Sequence, residues 1–200
     1  MRTNYIKTIV ATIIITSTFL GCKKGDNDPV ISLRSRKARV AGEWTMKTGN
    51  AGITVDDKIN PPFNQDIKMD GTKAEINETE AGNVGIIYTA NYSFYITFKK
   101  DGTFNFNENF NGSILDATGT WNFLGGVGET KNKESIVLKI ESVSKGYTRD
   151  NLFNKLGTEI IYEITELRNK KMTLLSRSKP YIGSDGRTAS FSCEFFLTQR

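Results

Sequence analysis

The sequence predicts an all-β fold, an antiparallel up-and-down β-barrel of about eight to ten strands. Three observations carry this. From Ala38 onward almost every apolar stretch is short, rich in β-branched or aromatic residues, and bounded by Gly, Asn or Asp, which is the pattern of strands separated by turns. The stretches lack the 3.6-residue repeat of an amphipathic helix, which argues against a parallel α/β sheet. The segments also follow one another closely enough for neighbours to pair, and closing so long a meander on itself removes its adhesive edges.

Strands are expected near 43–49, 52–57, 73–78, 85–98, 103–110, 117–124, 135–143, 158–167, 171–177 and 188–198. Gly49 to Gly52 separates the first two, and Asp70-Gly71 precedes the third. Gly82-Asn83 precedes the fourth, Asp101-Gly102 ends it, and Asn111-Gly112 ends the fifth. Gly125-Gly126-Val127-Gly128 ends the sixth; it lacks the Gly-Lys-Ser/Thr ending of a phosphate-binding loop, so it reads as a flexible connection. Gly157, Asn169 and Gly186 punctuate the last three. Asn60-Pro61-Pro62-Phe63-Asn64 is expected to be an extended loop, because adjacent prolines offer no ladder donors. Gly146 to Leu156 is the one other place for a short helix.

One hairpin can be derived residue by residue. Tyr92, Phe94, Ile96 and Phe98 share one face of their strand, and Phe104, Phe106 and Phe110 share a face of the next. A two-residue Asp101-Gly102 loop would set Phe98 against Asn105. A three-residue loop, Lys100-Asp101-Gly102, pairs Phe98 with Phe104 and Ile96 with Phe106, with Gly102 left-handed at a bulge. In that register Glu108 faces Phe94, a polar intrusion in an apolar stripe. The opposite face carries Asn105, Asn107 and Asn109, with Asn111 just beyond. Such a row can meet glycan hydroxyls or serve as a soluble outer face.

The chain has no histidine. That removes Ser-His-Asp and Cys-His catalysis and the commonest transition-metal ligand. The paired acids Asp56-Asp57 point to opposite faces of a regular strand and cannot share a site. Cys193 lies in Phe191-Ser192-Cys193-Glu194-Phe195-Phe196-Leu197, on the apolar face with residues 191, 195 and 197. It reads as a small core residue rather than a nucleophile, since a reactive thiol needs exposure and a positive neighbour. Neither a catalytic centre nor a cofactor or metal site is expected.

The N-terminus carries Arg2 and Lys7 and no acid in its first seven residues, then an apolar run from Ile9 to Leu20. This is the layout of a secretory signal, and the run is too short to span a bilayer, which takes about 20 apolar residues. Phe19-Leu20-Gly21-Cys22 resembles the lipobox of bacterial lipoproteins. The resemblance implies cleavage before Cys22, a diacylglycerol thioether on its sulfur and an acylated amine. The alternatives are a simple membrane anchor and a signal cut without lipid. The expected organisation is a signal peptide over 1–21, a flexible tether over 22–37 and one β domain over 38–200. The tether spans roughly 20 Å as a coil. Cleavage lowers the net charge from +5 to +3, because the signal holds two bases and no acid, and so small a charge argues against nucleic acid. Arg34, Arg36, Lys37 and Arg39 form the one basic bunch, placed to meet anionic headgroups or simply to be solvated. Lys23-Lys24-Gly25-Asp26-Asn27-Asp28 is similar to the export signal of Bacteroidota-type lipoproteins, which implies an outer-membrane location, on the periplasmic face or the cell surface.

Arg39-Val40-Ala41-Gly42-Glu43-Trp44 opens the domain, and Gly119-Thr120-Trp121 repeats the Gly-x-Trp element later. Gly-x-Trp at the start of the first strand, after a short turn of helix, resembles the first motif of lipocalins, and the chain is similar to the lipocalin-like domains of Bacteroidota lipoproteins over roughly 38–198. The resemblance implies a closed barrel whose tryptophan packs across one end, with Arg177 and Arg187 the candidates for the arginine that stacks on it. It also implies binding of a small apolar or amphipathic ligand in the barrel mouth. Phe94, Phe98, Phe104 and Phe106 then line the interior, or fill it. The alternative is a surface module that meets glycan or protein through its outer strands and loops.

If Cys22 carries the anchor, Cys22→Ser releases the protein from the membrane fraction of its host. Unchanged sedimentation of that variant with membranes refutes lipidation.

Overall fold

The computed structural model describes residues 35–56, 62–80, 83–124, 135–145, 152, 158–168, 170–177, 180–182 and 186–200. A short helix, α1 (Arg36–Val40), leads into β1 (Gly42–Asp56), β2 (Phe63–Met69), β3 (Lys73–Glu80), β4 (Asn83–Phe98), β5 (Thr103–Phe110), β6 (Ser113–Leu124), β7 (Ser135–Lys145), β8 (Glu159–Arg168), β9 (Lys171–Arg177), β10 (Tyr181–Ile182) and β11 (Thr188–Gln199). Each strand from β1 to β9 pairs antiparallel with the next. β9 pairs with β11, and β11 returns to β1 along almost its full length, from Trp44↔Gln199 to Asp56↔Thr188. Ten strands thus form one ring-like sheet, the all-β up-and-down barrel expected from the sequence. β10 adds a two-residue pairing on β11.

The ring is not uniform along its axis. At its lower end, residues 42–45 of β1 pair directly with 95–98 of β4. At its upper end, residues 49–55 of β1 pair with β2, and the β2–β3 hairpin is wedged between β1 and β4. The ring is therefore two strands wider above than below. The hairpin's turn sits in the fork. Tyr92 N–H donates to Thr72 O at 2.8 Å, and Asp70 Oδ1 accepts from the backbone N–H groups of Thr72 and Lys73 at 2.8 and 2.7 Å. Gly71 has φ +89°, and a Cβ there would stand 2.9 Å from Met46 O and 3.0 Å from Lys47 O. Glycine is required on both counts.

Residues 43–57 were expected as two strands. They form one, because the apparent break is a change of parity rather than of direction. Trp44 and Met46 point inward, as do Gly49 and Ala51, and the switch is absorbed at a bulge where Met46↔Leu197 is followed by Thr48↔Phe196. The extra residue, Lys47, stays exposed. The expected loop at 60–64 is also corrected. Phe63 and Asn64 begin β2, which the sequence reading lacked, since prolines end a ladder without forbidding one immediately after them. β6 begins earlier than expected, at Ser113. Helix α1 starts at Arg36, two residues before the expected domain boundary, and Ser35 Oγ accepts from Ala38 N–H to cap it. The readings at 1–34 and at the glycine-rich 125–128 lie outside the described residues, as does the expected helix at 146–156 except for Leu152.

The β4–β5 hairpin has the derived register, with Phe98↔Phe104, Ile96↔Phe106 and Phe94↔Glu108. Gly102 N–H donates to Lys99 O, Lys99 N–H donates to Thr103 O, and Gly102 has φ +94°. Inward side chains alternate along β5, β6 and β11. On β11, Phe191, Cys193, Phe195 and Leu197 are all buried.

Gly102→Val is expected to cost about 1 kcal/mol or more, because a β-branched residue resists positive φ. Gly71→Ala should cost more than Gly102→Ala, because its methyl group also meets backbone. Urea denaturation of the three variants checks this; equal midpoints for Gly71→Ala and Gly102→Ala would contradict the fork geometry.

Candidate functional site

The lower end is sealed by aromatic side chains and α1. Trp44 is buried, and its indole Nε1 donates to Val40 O at 2.7 Å, which ties β1 to the helix. Trp121 Nε1 donates to Lys99 O at 3.0 Å, and its ring meets Phe98 edge-on at 5.3 Å. Lys37 lies over the other indole, with Nζ 5.8 Å from the Trp121 ring centre. Arg177 is paired with Ser192, far along β11 from the Gln199 that faces Trp44, and Arg187 lies beyond it, so neither reaches that tryptophan.

The four phenylalanines offered as ligand contacts lie together in the core. Phe94, Phe98, Phe104 and Phe106 are each 1–2% exposed. Phe94 stacks on Phe195 at 5.4 Å, Phe104 on Phe106 at 6.2 Å, and Phe98 meets Phe104 at 6.5 Å. Rings at these separations are in contact, so the volume between them is occupied by the protein's own side chains.

Above this stack the interior turns polar. Glu108 is fully buried, and its Oε1 accepts from Tyr92 Oη at 2.9 Å and from the backbone N–H of Leu152 at 3.0 Å. Leu152 is itself buried. Tyr162 and Cys193 lie beside this pair, close enough to contribute to one another's titration. Burial raises both tyrosine hydroxyls well above their ordinary range, with the Glu108 charge the second cause at Tyr92 and the Cys193 charge the second at Tyr162. Burial also pushes the Cys193 thiol up to about 12, against the opposing hydrogen bond from Tyr162. A thiol held protonated in this way is a core residue and not a nucleophile. The cluster is built to hold protons and to secure Leu152.

Most outward positions carry polar residues, and the exposed Ile114, Leu124, Val143, Ile161 and Ile182 are spread over β6, β7, β8 and β10. The asparagine row is partly committed to its own hairpin. Asn107 Nδ2 donates to Asp116 Oδ1 at 2.6 Å, and Asn109 Oδ1 accepts from Gly112 N–H at 2.9 Å.

The departure from this pattern is at the upper end of β4. β5 stops at Phe110, opposite Tyr92, where Asn111 N–H donates to Asn91 O at 2.7 Å. That bond shows which edge of β4 the odd-numbered backbone groups use. Ile87 and Thr89 present theirs on the same edge, beyond the end of β5, where no described strand pairs with them. β3 covers only the other edge. Ile86 is 56% exposed and Ile87 64% exposed, on opposite faces of this extension. The run from Asn83 to Asn91 contains no charge and no proline, so it lacks the usual protection of an open edge. The sequence reading placed a strand here and missed its openness. The signal was the Ile86-Ile87-Tyr88 run, which breaks the alternation that governs residues 92–98.

Compared with known protein families and with curated protein sequences, the chain matches none.

Cys193 should stay unmodified by a thiol reagent at neutral pH and react on unfolding. The pH dependence follows from the raised pKa. Between the unfolded thiol's value, about 8.5, and the folded value, about 12, the folded state holds a proton that the unfolded state has lost. Stability is then fully present below that window and falls as pH rises through it. Tyr92 and Tyr162 act in the same direction. Urea midpoints at neutral and alkaline pH check this, and a midpoint that rises with alkali contradicts it.

Proposed function

We propose that the protein is a lipid-anchored envelope module that recognises an extended segment of another protein, without catalysis, by strand addition along the upper edge of β4. The observation that carries this reading is the edge at Ile87 and Thr89, which no described strand pairs, with Ile86 and Ile87 exposed on its two faces. An added strand would satisfy the open backbone groups and cover both isoleucines, with the main chain supplying affinity and side chains on the two faces supplying selectivity. The absence of charge from 83 to 91 favours an uncharged, apolar-polar partner strand. The Phe19 to Cys22 segment supports the anchor, and the Lys23 to Asp28 segment supports an outer-membrane location, on the periplasmic face or the cell surface. The order of Gly-x-Trp, preceding helix and up-and-down strands supports a lipocalin-like barrel.

A second reading rests on one observation. Glu108, Tyr92 and Tyr162 place a polar patch inside the barrel, above the aromatic stack. In a small-molecule carrier such a patch would bind the polar end of an amphipathic ligand. The packed phenylalanines make this the weaker reading.

Native mass spectrometry of the protein, extracted from its own envelope in mild detergent, separates the two. A second protein at fixed stoichiometry, lost in an otherwise folded Ile87→Lys variant, is the expected result. A stoichiometric small molecule instead establishes the carrier. A homodimer, a partner that survives Ile87→Lys, or a bare monomer overturns strand addition to a different protein.

A further inference from the structure

The lower end of the barrel gathers positive charge from three separate parts of the chain. α1 supplies Arg36, Lys37 and Arg39. Arg39 reaches β8, where its Nη1 donates to Leu167 O at 2.7 Å, and Lys37 lies over Trp121 beside the β4–β5 turn. That turn adds Lys99 and Lys100, both exposed. The β8–β9 turn adds Arg168, Lys170 and Lys171, also exposed. Two of the acids nearby are already engaged, while Glu43 of β1 is exposed. Asp101 accepts from Thr103 N–H and Oγ1 at 2.9 and 2.7 Å, and Glu166 pairs with Arg168 at 2.9 Å. This end carries more positive charge than the whole mature chain does net, so the remainder of the barrel is net acidic.

Two further features make this end more than a solvated basic rim. A pocket of about 210 Å³ opens between α1 and the β8–β9 turn. Trp44 and Leu167 give it apolar walls, and Arg39, Arg168, Lys170 and Lys171 surround them with cations. Lys170 and Lys171 make no ion pair among the described residues. Lys170 also sits at φ +62°, in the left-handed region where glycine or asparagine is the unstrained choice. Strain of this kind is sustained where a side chain is wanted at that point. Burial lowers the pKa of both Arg36 and Arg39, and at Arg36 the neighbouring Arg39 charge is the second cause.

We infer that the lower end of the barrel docks on an anionic lipid surface, with a headgroup phosphate held in the pocket between Arg39, Lys170 and Lys171. The chain enters the barrel at this same end through α1, so the tether from Cys22 brings this face, and not the β4 extension, to the bilayer. A pocket with apolar walls and a cationic rim matches the chemistry of a phospholipid at the interface, and each base near such a surface strengthens binding about fivefold. The tethering part of this inference rests on the lipid anchor proposed above; the charge and the pocket do not.

The chain carries its own probe. Its two tryptophans, Trp44 and Trp121, both lie at this end. The envelope-extracted protein is added to vesicles of phosphatidylcholine alone, or with about 30% phosphatidylglycerol, each containing a trace of lipid with a dansyl headgroup. Energy transfer from tryptophan to dansyl is then measured. Higher transfer in the anionic vesicles is expected. It should fall to the neutral level in about 0.5 M salt, and also in Lys170→Gln/Lys171→Gln and in Lys99→Gln/Lys100→Gln, which alter different turns. Association with neutral vesicles, but equal transfer in both compositions and in the variants, overturns the docking and leaves the anchor standing. Association with anionic vesicles only, lost in the variants, overturns the anchor and leaves the docking standing. Association with neither overturns both.

Discussion

The return of β11 to β1 is the constraint on which the molecule depends. β1 gives one whole edge to β11 and divides the other, its lower residues pairing with β4 and its upper residues with β2. A strand of fifteen residues that serves three partners cannot stay regular. The bulge at Lys47 is where the division falls, and it adds local twist while resetting which side chains face inward. Without it, either Trp44 and Met46 or Gly49 and Ala51 would face water. The fork, the β2–β3 wedge and the left-handed Gly71 all follow from this branching. So does the free edge of β4: a wedge that lengthens the β1–β4 side of the ring has no counterpart on the β5–β6 side, and β4 overshoots β5.

Closure also determines what the interior can contain. A narrow lower ring holds large side chains only if neighbouring positions interlock, which the Phe94, Phe98, Phe104 and Phe106 rings do with Phe195 and Trp121. The wider upper ring tolerates smaller and polar residues. Glu108 is buried there at a desolvation cost that its bonds from Tyr92 and Leu152 must offset. A buried acid with specific donors gives less stability than an apolar residue of similar shape would. It does pin Leu152 against the barrel core, which an apolar residue would not.

Much of this was legible in the sequence, and where it was not there is a physical reason. The β4–β5 register, the left-handed Gly102, the inward face of β11 and the intrusion of Glu108 all follow from strict period-two alternation, which survives translation into structure. β1 was misread because a bulge breaks the period without breaking the strand. β2 was missed because adjacent prolines signal a break in a ladder, and the sequence does not show how soon pairing resumes after them. The partners of Glu108 were invisible, since Leu152 is 44 residues away and contributes only a backbone N–H, which carries no signature in side-chain type. The basic lower end was half visible. Arg36, Lys37 and Arg39 are contiguous, but the lysines of the β4–β5 and β8–β9 turns join them only once the ring is closed.

The two ends of the barrel then have opposite chemistry for a common geometric reason. At the lower end β1 and β4 pair directly, so the turns converge, and bases that are distant in sequence are forced together around α1. At the upper end β1 and β4 diverge, so β4 projects beyond β5 with an uncharged edge that no described strand covers. An edge of that kind is a hazard on a freely diffusing protein, because it pairs with any compatible strand it meets. If the lower end is held against a charged surface, as proposed above, the approach of other molecules is restricted to the projecting end. Identical copies would then also stand roughly parallel to one another, side by side on the bilayer. Antiparallel pairing of two β4 edges needs two copies related by a two-fold axis perpendicular to both strands. Copies standing upright on one membrane share a rotation axis along the bilayer normal, and with β4 running along that normal the two edges would meet parallel. An orientation imposed in this way at the lower end would therefore disfavour self-pairing at the upper one and leave the edge open to a different partner.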